Sequence, residues 1–303
     1  MEYNSFAAWL DAAEKESKAL WELALAAELS QEEMSEAEIY RALEERLLVM
    51  ESSAERGLSG LLSHSGLSGG DAKKLAEYRQ SGGILSDFTL NVMSKAIAIN
   101  ECNAAMGVIC ATPTAGSAGT CAAVLLAAAE DLKLSRLAQQ RFLISAGYLG
   151  RIIGNLASLS GAAGGCQAEV GSASAMAAFA LVEAAGGAPA ASGHAAAIAL
   201  KNLLGLACDP VAGLVEIPCI KRNVMGAVNA LSAAELALAG IESKIPLDEV
   251  IVAMGKVGQA MPATLRETAL GGLAATPTAK RYADQLFNST PAVDSSPETT
   301  SFD

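Results

Sequence analysis

The chain has 303 residues, 51% of them hydrophobic and only 4% aromatic, which is enough apolar matter for a large folded core and excludes a disordered chain. With 33 acidic against 21 basic side chains the net charge is −12, a balance that repels phosphate backbones and excludes nucleic acid as an expected partner. Met1-Glu2-Tyr3-Asn4-Ser5 offers no basic stretch leading into an apolar one, so a cytoplasmic, reducing setting is expected, in which the six cysteines are thiols or metal donors and not disulfides.

From Ser5 to residue 56 the sequence is charged and helical. Ser30-Gln31-Glu32-Glu33 has the form of a capping box ahead of a second helix, in which Ile39, Leu43 and Leu47 recur every four residues. Residues 1–56 are therefore expected to be amphipathic helices that pack on the core or meet another subunit. Gly57 to Gly83 is punctuated by Ser63-His64-Ser65-Gly66 and Ser68-Gly69-Gly70-Asp71, and predicts a long loop with one short helix after Asp71.

Beyond Ser86 the chain is a succession of Ala-rich segments, each closed by Gly, Pro or Asn, with almost no alternation of period two. An all-α fold follows, with an Ala/Gly-rich helical catalytic domain over 57–287 whose helices pack closely around a central site. The uncharged run from Cys102 to Ala129 is long enough to cross a bilayer. Its middle holds Asn103, Thr112, Pro113, Thr114, Gly116, Ser117, Gly119 and Thr120, so it predicts two buried helices flanking a turn, and no membrane span.

That turn runs into a helix expected over Cys121–Leu132, and a helix start rich in hydroxyls and free N–H groups binds anions. Thr112, Thr114, Gly116 and Ser117 are thus candidates to hold a substrate carboxylate, although an ordinary capped helix start has the same composition. The pentapeptide Ala111-Thr112-Pro113-Thr114-Ala115 returns as Ala275-Thr276-Pro277-Thr278-Ala279, with flanks that do not repeat.

Cys166, Cys208 and Cys219 each lie in a segment marked by Gly or Pro, whereas Cys102, Cys110 and Cys121 lie in apolar, helix-like sequence. Three thiolates can hold an iron–sulfur cluster and leave its fourth iron open as a Lewis acid. The intervals of 42 and 11 residues match no short zinc or ferredoxin pattern, and buried cysteines acting as small hydrophobes are the alternative. His64, in the Ser/Gly loop, and His194, after Ser192-Gly193 at an expected helix start, are the only histidines and are candidate proton carriers or structural residues. Lys221 and Arg222 either draw a carboxylate, balance cluster charge or mark a surface turn, and Glu169 either orients a ligand or caps a helix. After Ala279 the composition shifts to Ser, Thr, Pro and acids, which predicts a disordered tail over 288–303.

Taken together, Cys166-Gln167-Ala168-Glu169-Val170-Gly171, His194 to Asn202 and Cys208-Asp209-Pro210 through Ile217-Pro218-Cys219-Ile220-Lys221-Arg222-Asn223 closely resemble the iron–sulfur-dependent L-serine dehydratases, in their alpha subunit. The resemblance runs from about Gly57 to Thr278. It implies a [4Fe-4S] cluster on Cys166, Cys208 and Cys219 and a lyase that eliminates water from L-serine to give pyruvate and ammonia, in amino-acid degradation and gluconeogenesis. It also places Pro113-Thr114-Ala115-Gly116 near the substrate. Two departures bear on function. Ala122 stands where the family's turn is usually followed by Pro, and the Ser-Ser-Ser-His-Thr segment that brings base histidines in single-chain members is not found here. A C-terminal cysteine that reaches the cluster in some single-chain relatives has no counterpart in Thr300-Ser301-Phe302-Asp303. The base is accordingly expected on a separate beta subunit in a hetero-oligomer, with this chain weakly active or inactive alone. The alternatives are a dehydratase or desulfidase of another small β-substituted amino acid, and a non-catalytic subunit that carries the cluster.

Overall fold

The computed structural model describes residues 2–31 and 33–288. Among them are thirteen α-helices and no strand beyond two isolated bridges, so the all-α expectation holds. In chain order the helices are α1 (Phe6–Glu16), α2 (Leu20–Leu29), α3 (Glu36–Leu58), α4 (Asp71–Gln80), α5 (Asp87–Ala104), α6 (Ala118–Asp131), α7 (Arg136–Leu156), α8 (Gly161–Gly164), α9 (Ser172–Ala184), α10 (Pro189–Asn202), α11 (Cys219–Leu238), α12 (Leu247–Ala260) and α13 (Pro277–Phe287). The tail expected to be disordered lies, from residue 289 onward, outside the described residues.

Hydroxyl caps set many of the starts, because the first N–H groups of a helix need an acceptor. Ser5, Ser35, Ser86, Ser135 and Thr276 each accept from a backbone N–H two or three positions into their helices. The capping box falls at Ser35 and Glu38 and not at Ser30 and Glu33: Ser35 Oγ accepts from Glu38 N, and the Glu38 carboxylate accepts from Ser35 N at 2.8 Å. The segment holds the pattern twice, and only the second copy directly precedes the stripe of Ile39, Leu43 and Leu47. Ser30 instead closes α2, donating its hydroxyl to Ala27 O at 2.7 Å. The repeated pentapeptide also divides in role: Thr276 caps α13, whereas the first copy forms the turn ahead of α6.

The centre of the molecule is α9, with eleven of its thirteen residues buried, packed against α6, α7, α10 and α11. Small residues allow the close approach. A Cβ on Gly57 would lie 2.0 Å from Ala98 O, and one on Gly119 would lie 2.5 Å from Ala96 O, so neither position has room for alanine. The few aromatics are concentrated where α1 meets α7 and α9: Trp9 stacks on Phe179 at 5.3 Å, and Phe6 meets Phe179 edge-on at 5.7 Å. Trp9 and Leu20 are fully buried within the principal core, so α1 and α2 are built into it, and α3 runs without a break past residue 56. Cys102 and Cys121 are buried in helices as expected, but Cys110 is half-buried in the non-helical connector between α5 and α6, because α5 already ends at Ala104.

Three connections converge at the N-terminal end of α9. The first is the segment from α8 through Cys166 into a π-helical turn, Gln167–Gly171, which continues directly as α9. The second is the loop from α10 to α11 that carries Cys208 and delivers Cys219 as the first residue of α11. The third is the Thr112–Ser117 turn ahead of α6. A strap over 263–276 closes the end, with Cys208 N donating to Leu265 O at 2.8 Å and Glu267 N donating to Cys208 O at 2.7 Å. Among the described residues no helix is long and apolar enough to cross a membrane.

Candidate functional site

A π-turn widens the helix by one residue, and such turns concentrate at functional positions. Here it follows Cys166 directly and begins with Gln167, a fully buried amide that anchors the segment on two sides. Gln167 Nε2 donates to Met254 O on α12 at 3.0 Å, and its Oε1 accepts from Gly205 N at 2.8 Å, in the loop leading to Cys208. The backbone adds a bond from Gln167 N to Leu206 O at 3.1 Å. Gln167 therefore fixes the Cys166 segment and the Cys208 loop to each other.

The result is a compact donor set. One ligand atom each from Cys166, Glu169 and Cys208 lies within 4.8 Å of the other two, a group able to hold a metal ion. Cys219 is buried beside them but outside that tightest group, near enough for its charge to act on Cys208. The closeness of the two thiols holds Cys166 below the ordinary thiol range and, together with burial, pushes Cys208 up. Burial likewise pushes Cys219 up to about 12.

One basic side chain serves this set. Arg222 Nη1 lies 3.7 Å from Cys166 Sγ, donates to Ala207 O at 2.7 Å and sits 2.8 Å from Asp209 Oδ1. Asp209 is held in turn by Leu273 N in the strap, at 2.7 Å. Lys221 turns the other way and pairs with Asp71 at the start of α4, 61% exposed.

The Thr112–Ser117 turn reaches the same place. Thr114 Oγ1 donates to Glu169 Oε1 at 2.7 Å and lies 3.1 Å from Ser117 Oγ. Thr112 Oγ1 donates to Ala118 O at 3.2 Å, which ties the turn to α6. Gly116 faces Glu169, with space for a Cβ only at 3.4 Å from its Oε1. Burial raises Glu169 above the usual carboxylate range, the Thr114 hydroxyl opposes that rise, and nearby Glu267 adds to it. Asn223, fully buried, joins the turn to the cysteines: its Nδ2 donates to Gly116 O at 2.7 Å and to Cys219 O at 3.0 Å, and its Oδ1 accepts from Thr120 Oγ1 at 2.9 Å.

The structure thus brings Cys166, Cys208, Cys219, Thr112, Thr114, Gly116 and Ser117 to one end of the bundle, together with Glu169 and Arg222. His64 is exposed at the tip of a small hairpin. The adjacent Ser65, and Ser68, donate their hydroxyls to the buried carboxylate of Glu216, three residues before Cys219. His194 lies inside α10 and not at its start, its Nδ1 accepting from Ser243 N at 3.4 Å, because Pro189 begins the helix well before it. A cavity of about 490 Å³ between α2, α3 and α7 reaches Thr112 and Pro113 but touches none of Cys166, Cys208 and Cys219. Sequence reasoning missed Gln167, Asn223 and Glu216. The available signal was their polarity: each stands one to four residues from a site cysteine, Gln167 and Glu216 beside apolar neighbours and Asn223 just after Lys221-Arg222.

The family described as serine dehydratase alpha chain matches residues 15–274 of this sequence. Over 264 residues the chain is 54% identical to the "Probable L-serine dehydratase, alpha chain" of Bacillus subtilis (strain 168), covering 87% of this chain and 88% of that protein. It is 45% identical over 265 residues to the L-serine dehydratase, alpha chain, of Peptoniphilus asaccharolyticus, covering 86% and 90%. Against the L-serine dehydratase of Helicobacter pylori (strain ATCC 700392 / 26695) it is 41% identical over 244 residues, which are 78% of this chain and 53% of that protein.

Proposed function

Because the chain belongs to the serine dehydratase alpha-chain family, we propose that it is the cluster-bearing chain of an L-serine ammonia-lyase, converting L-serine to pyruvate and ammonia. The observation that carries this reading is the convergence of Cys166, Cys208 and Cys219 with the Thr112–Ser117 turn at one end of α9. Three buried sulfur donors and a single guanidinium suit a [4Fe-4S] cluster, since soft thiolates select iron–sulfur centres and their negative charge needs a cation nearby. When bound, that cluster supplies a Lewis acid for the departing hydroxide, a poor leaving group at neutral pH.

The chain's own residues do the rest. Arg222 offsets the charge on Cys166 and, through Asp209, holds the strap against the Cys208 loop. Thr114 and Ser117 lie at the start of α6, where the helix dipole favours a substrate carboxylate. Asn223 keeps that turn in register with Cys219, so substrate and metal are positioned by one amide. The reaction removes the Cα proton and the β-hydroxyl as water, and the enamine that remains tautomerises and hydrolyses to the keto acid and ammonia.

We assign the Cα base to a separate beta subunit in a hetero-oligomer. The chain spans about half the length of the Helicobacter pylori L-serine dehydratase, which leaves room in that protein for what a partner supplies here. Of the candidate proton carriers, His64 sits exposed on its hairpin, and His194 in α10 and Lys221 on Asp71 are engaged elsewhere. The test is pyruvate formation from L-serine by the anaerobically iron-reconstituted chain, with and without its beta partner. Pyruvate only with the partner is the expected result; none in either case, with the cluster intact, refutes the proposal.

A further inference from the structure

We propose that Glu169 is a fourth protein donor at this metal centre, its carboxylate filling in the resting protein the position that the three cysteines leave open. The inference rests on the cluster reading above and adds a residue to it.

Three observations carry it. Glu169 is the only non-sulfur donor in the tight group, with a carboxylate oxygen within 4.8 Å of both Cys166 Sγ and Cys208 Sγ. Its carboxylate is held in place from two sides. Thr114 Oγ1 donates to Oε1, and Oε2 fits against Gly161, where a Cβ would come within 2.7 Å of it. Finally, the half-buried carboxylate has no basic partner among the described residues. Arg222 is taken up by Cys166, Ala207 and Asp209, and Lys221 by Asp71, while the Glu267 carboxylate, also close to Gly161, repels it. A carboxylate drawn out of water beside sulfur donors, with a second carboxylate close by, is stabilised in its charged form by a cation in the missing place. Iron accepts oxygen as well as sulfur donors, so a metal at the cysteines is that cation.

A structural carboxylate would instead serve only Thr114, and the two roles separate in the metal's behaviour. The full chain and its Glu169→Gln, Glu169→Ala and Glu267→Gln variants are reconstituted anaerobically with iron-57 and sulfide. Iron and sulfide are counted, Mössbauer spectra recorded, and loss of the fourth iron to a chelator is timed. The expected result is equal sulfide in all four proteins, a shifted signal from one iron site in both Glu169 variants, and loss of that iron about tenfold faster or more in Glu169→Ala. Glu267→Gln, which removes a neighbouring charge without removing the donor, is expected to match the unaltered protein. Spectra and loss rates that coincide across all four, each holding four irons, overturn the assignment of Glu169 alone. Absence of any cluster from the unaltered chain overturns the proposed function as well.

Discussion

Asn223 joins the Thr112–Ser117 turn to Cys219, and its replacement has a cost that can be worked out bond by bond. Asn223→Ala removes the donor to Gly116 O, the donor to Cys219 O and the acceptor of Thr120 Oγ1. Cys219 O keeps its place as a helical acceptor, and Thr120 Oγ1 retains a longer contact to the Asn223 carbonyl at 3.4 Å, so Gly116 O is the group left most exposed to loss. Two to three net hydrogen bonds at about 1 kcal/mol each, plus one poorly satisfied carbonyl, give about 2–4 kcal/mol. Asn223→Asp fills the same space but turns an acceptor toward two carbonyl oxygens in a site with no exposure, and is expected to cost more than alanine, about 3–5 kcal/mol. Urea unfolding of the three proteins measures both values. A double-mutant cycle with Thr120→Val isolates the Thr120 bond, with an expected coupling of about 1 kcal/mol. Alanine within about 0.5 kcal/mol of the unaltered protein, or aspartate no worse than alanine, would refute the reasoning, since either would mean the amide bears no net hydrogen-bond energy.

Phe179→Ala, at the meeting point of Phe6, Trp9 and α9, is expected to lose about 3–5 kcal/mol in urea unfolding, and a loss below about 1 kcal/mol would show that α1 does not share the central core. Burial raises Glu183 above the usual carboxylate value of 4.5, against the hydrogen bonds from Ser145 and the Trp21 and Leu20 amides. The folded chain then holds this proton at a pH where the unfolded chain has lost it, so the group's contribution to stability falls as pH rises from about 4.5 through the folded value. Glu183→Gln should therefore gain on the unaltered protein as pH climbs from 4 toward neutrality in pH-stepped urea unfolding, and parallel stability curves would contradict the assignment. Serine at Cys166, Cys208 or Cys219 is expected to abolish bound iron in the anaerobically reconstituted chain, whereas serine at Cys102, Cys110 or Cys121 leaves it in place; equal loss at all six would remove the distinction between the two sets.

The helical class was legible because the pattern that marks strands is missing and Ser, Gly and Pro punctuate the apolar runs. The helix after Asp71 begins where those signals put it. Boundaries were read less well where a signal occurs twice, as with Ser30 and Ser35, or where it lies inside a helix, as with Ser192-Gly193 ahead of His194. The three site cysteines were marked by Gly and Pro neighbours, and the Thr112–Ser117 turn by its hydroxyls. What the sequence could not give was which polar residue meets which. Gln167 bonds across 87 positions to Met254, Asn223 across 107 to Gly116 and Ser65 across 151 to Glu216, and no local pattern records a partner at that distance.

Those long-range polar bonds answer a difficulty created by the composition. Helices faced with Ala and Gly approach closely, but small side chains interdigitate little, so one helix can slide or turn against its neighbour at small cost in packing. Buried hydrogen bonds do not permit this, because a shift of even an ångström or two orphans both partners. Ser174 donates to Gly226 O at 2.7 Å, and Asn229 Nδ2 donates both to Ser174 Oγ and to Ala199 O at 2.9 Å, fixing α9, α10 and α11 to one another. Gln167 and Asn223 do the same at the end where the cysteines meet. In this fold the position of the site is therefore set by a few amides and hydroxyls, and the apolar core supplies the stability that lets them be buried. Exchanging Asn229 for leucine, which has the same branching, would remove these hydrogen bonds and loosen the register, and the effect should appear at the proposed metal centre, in altered spectra of reconstituted iron, before it appears in the unfolding curve.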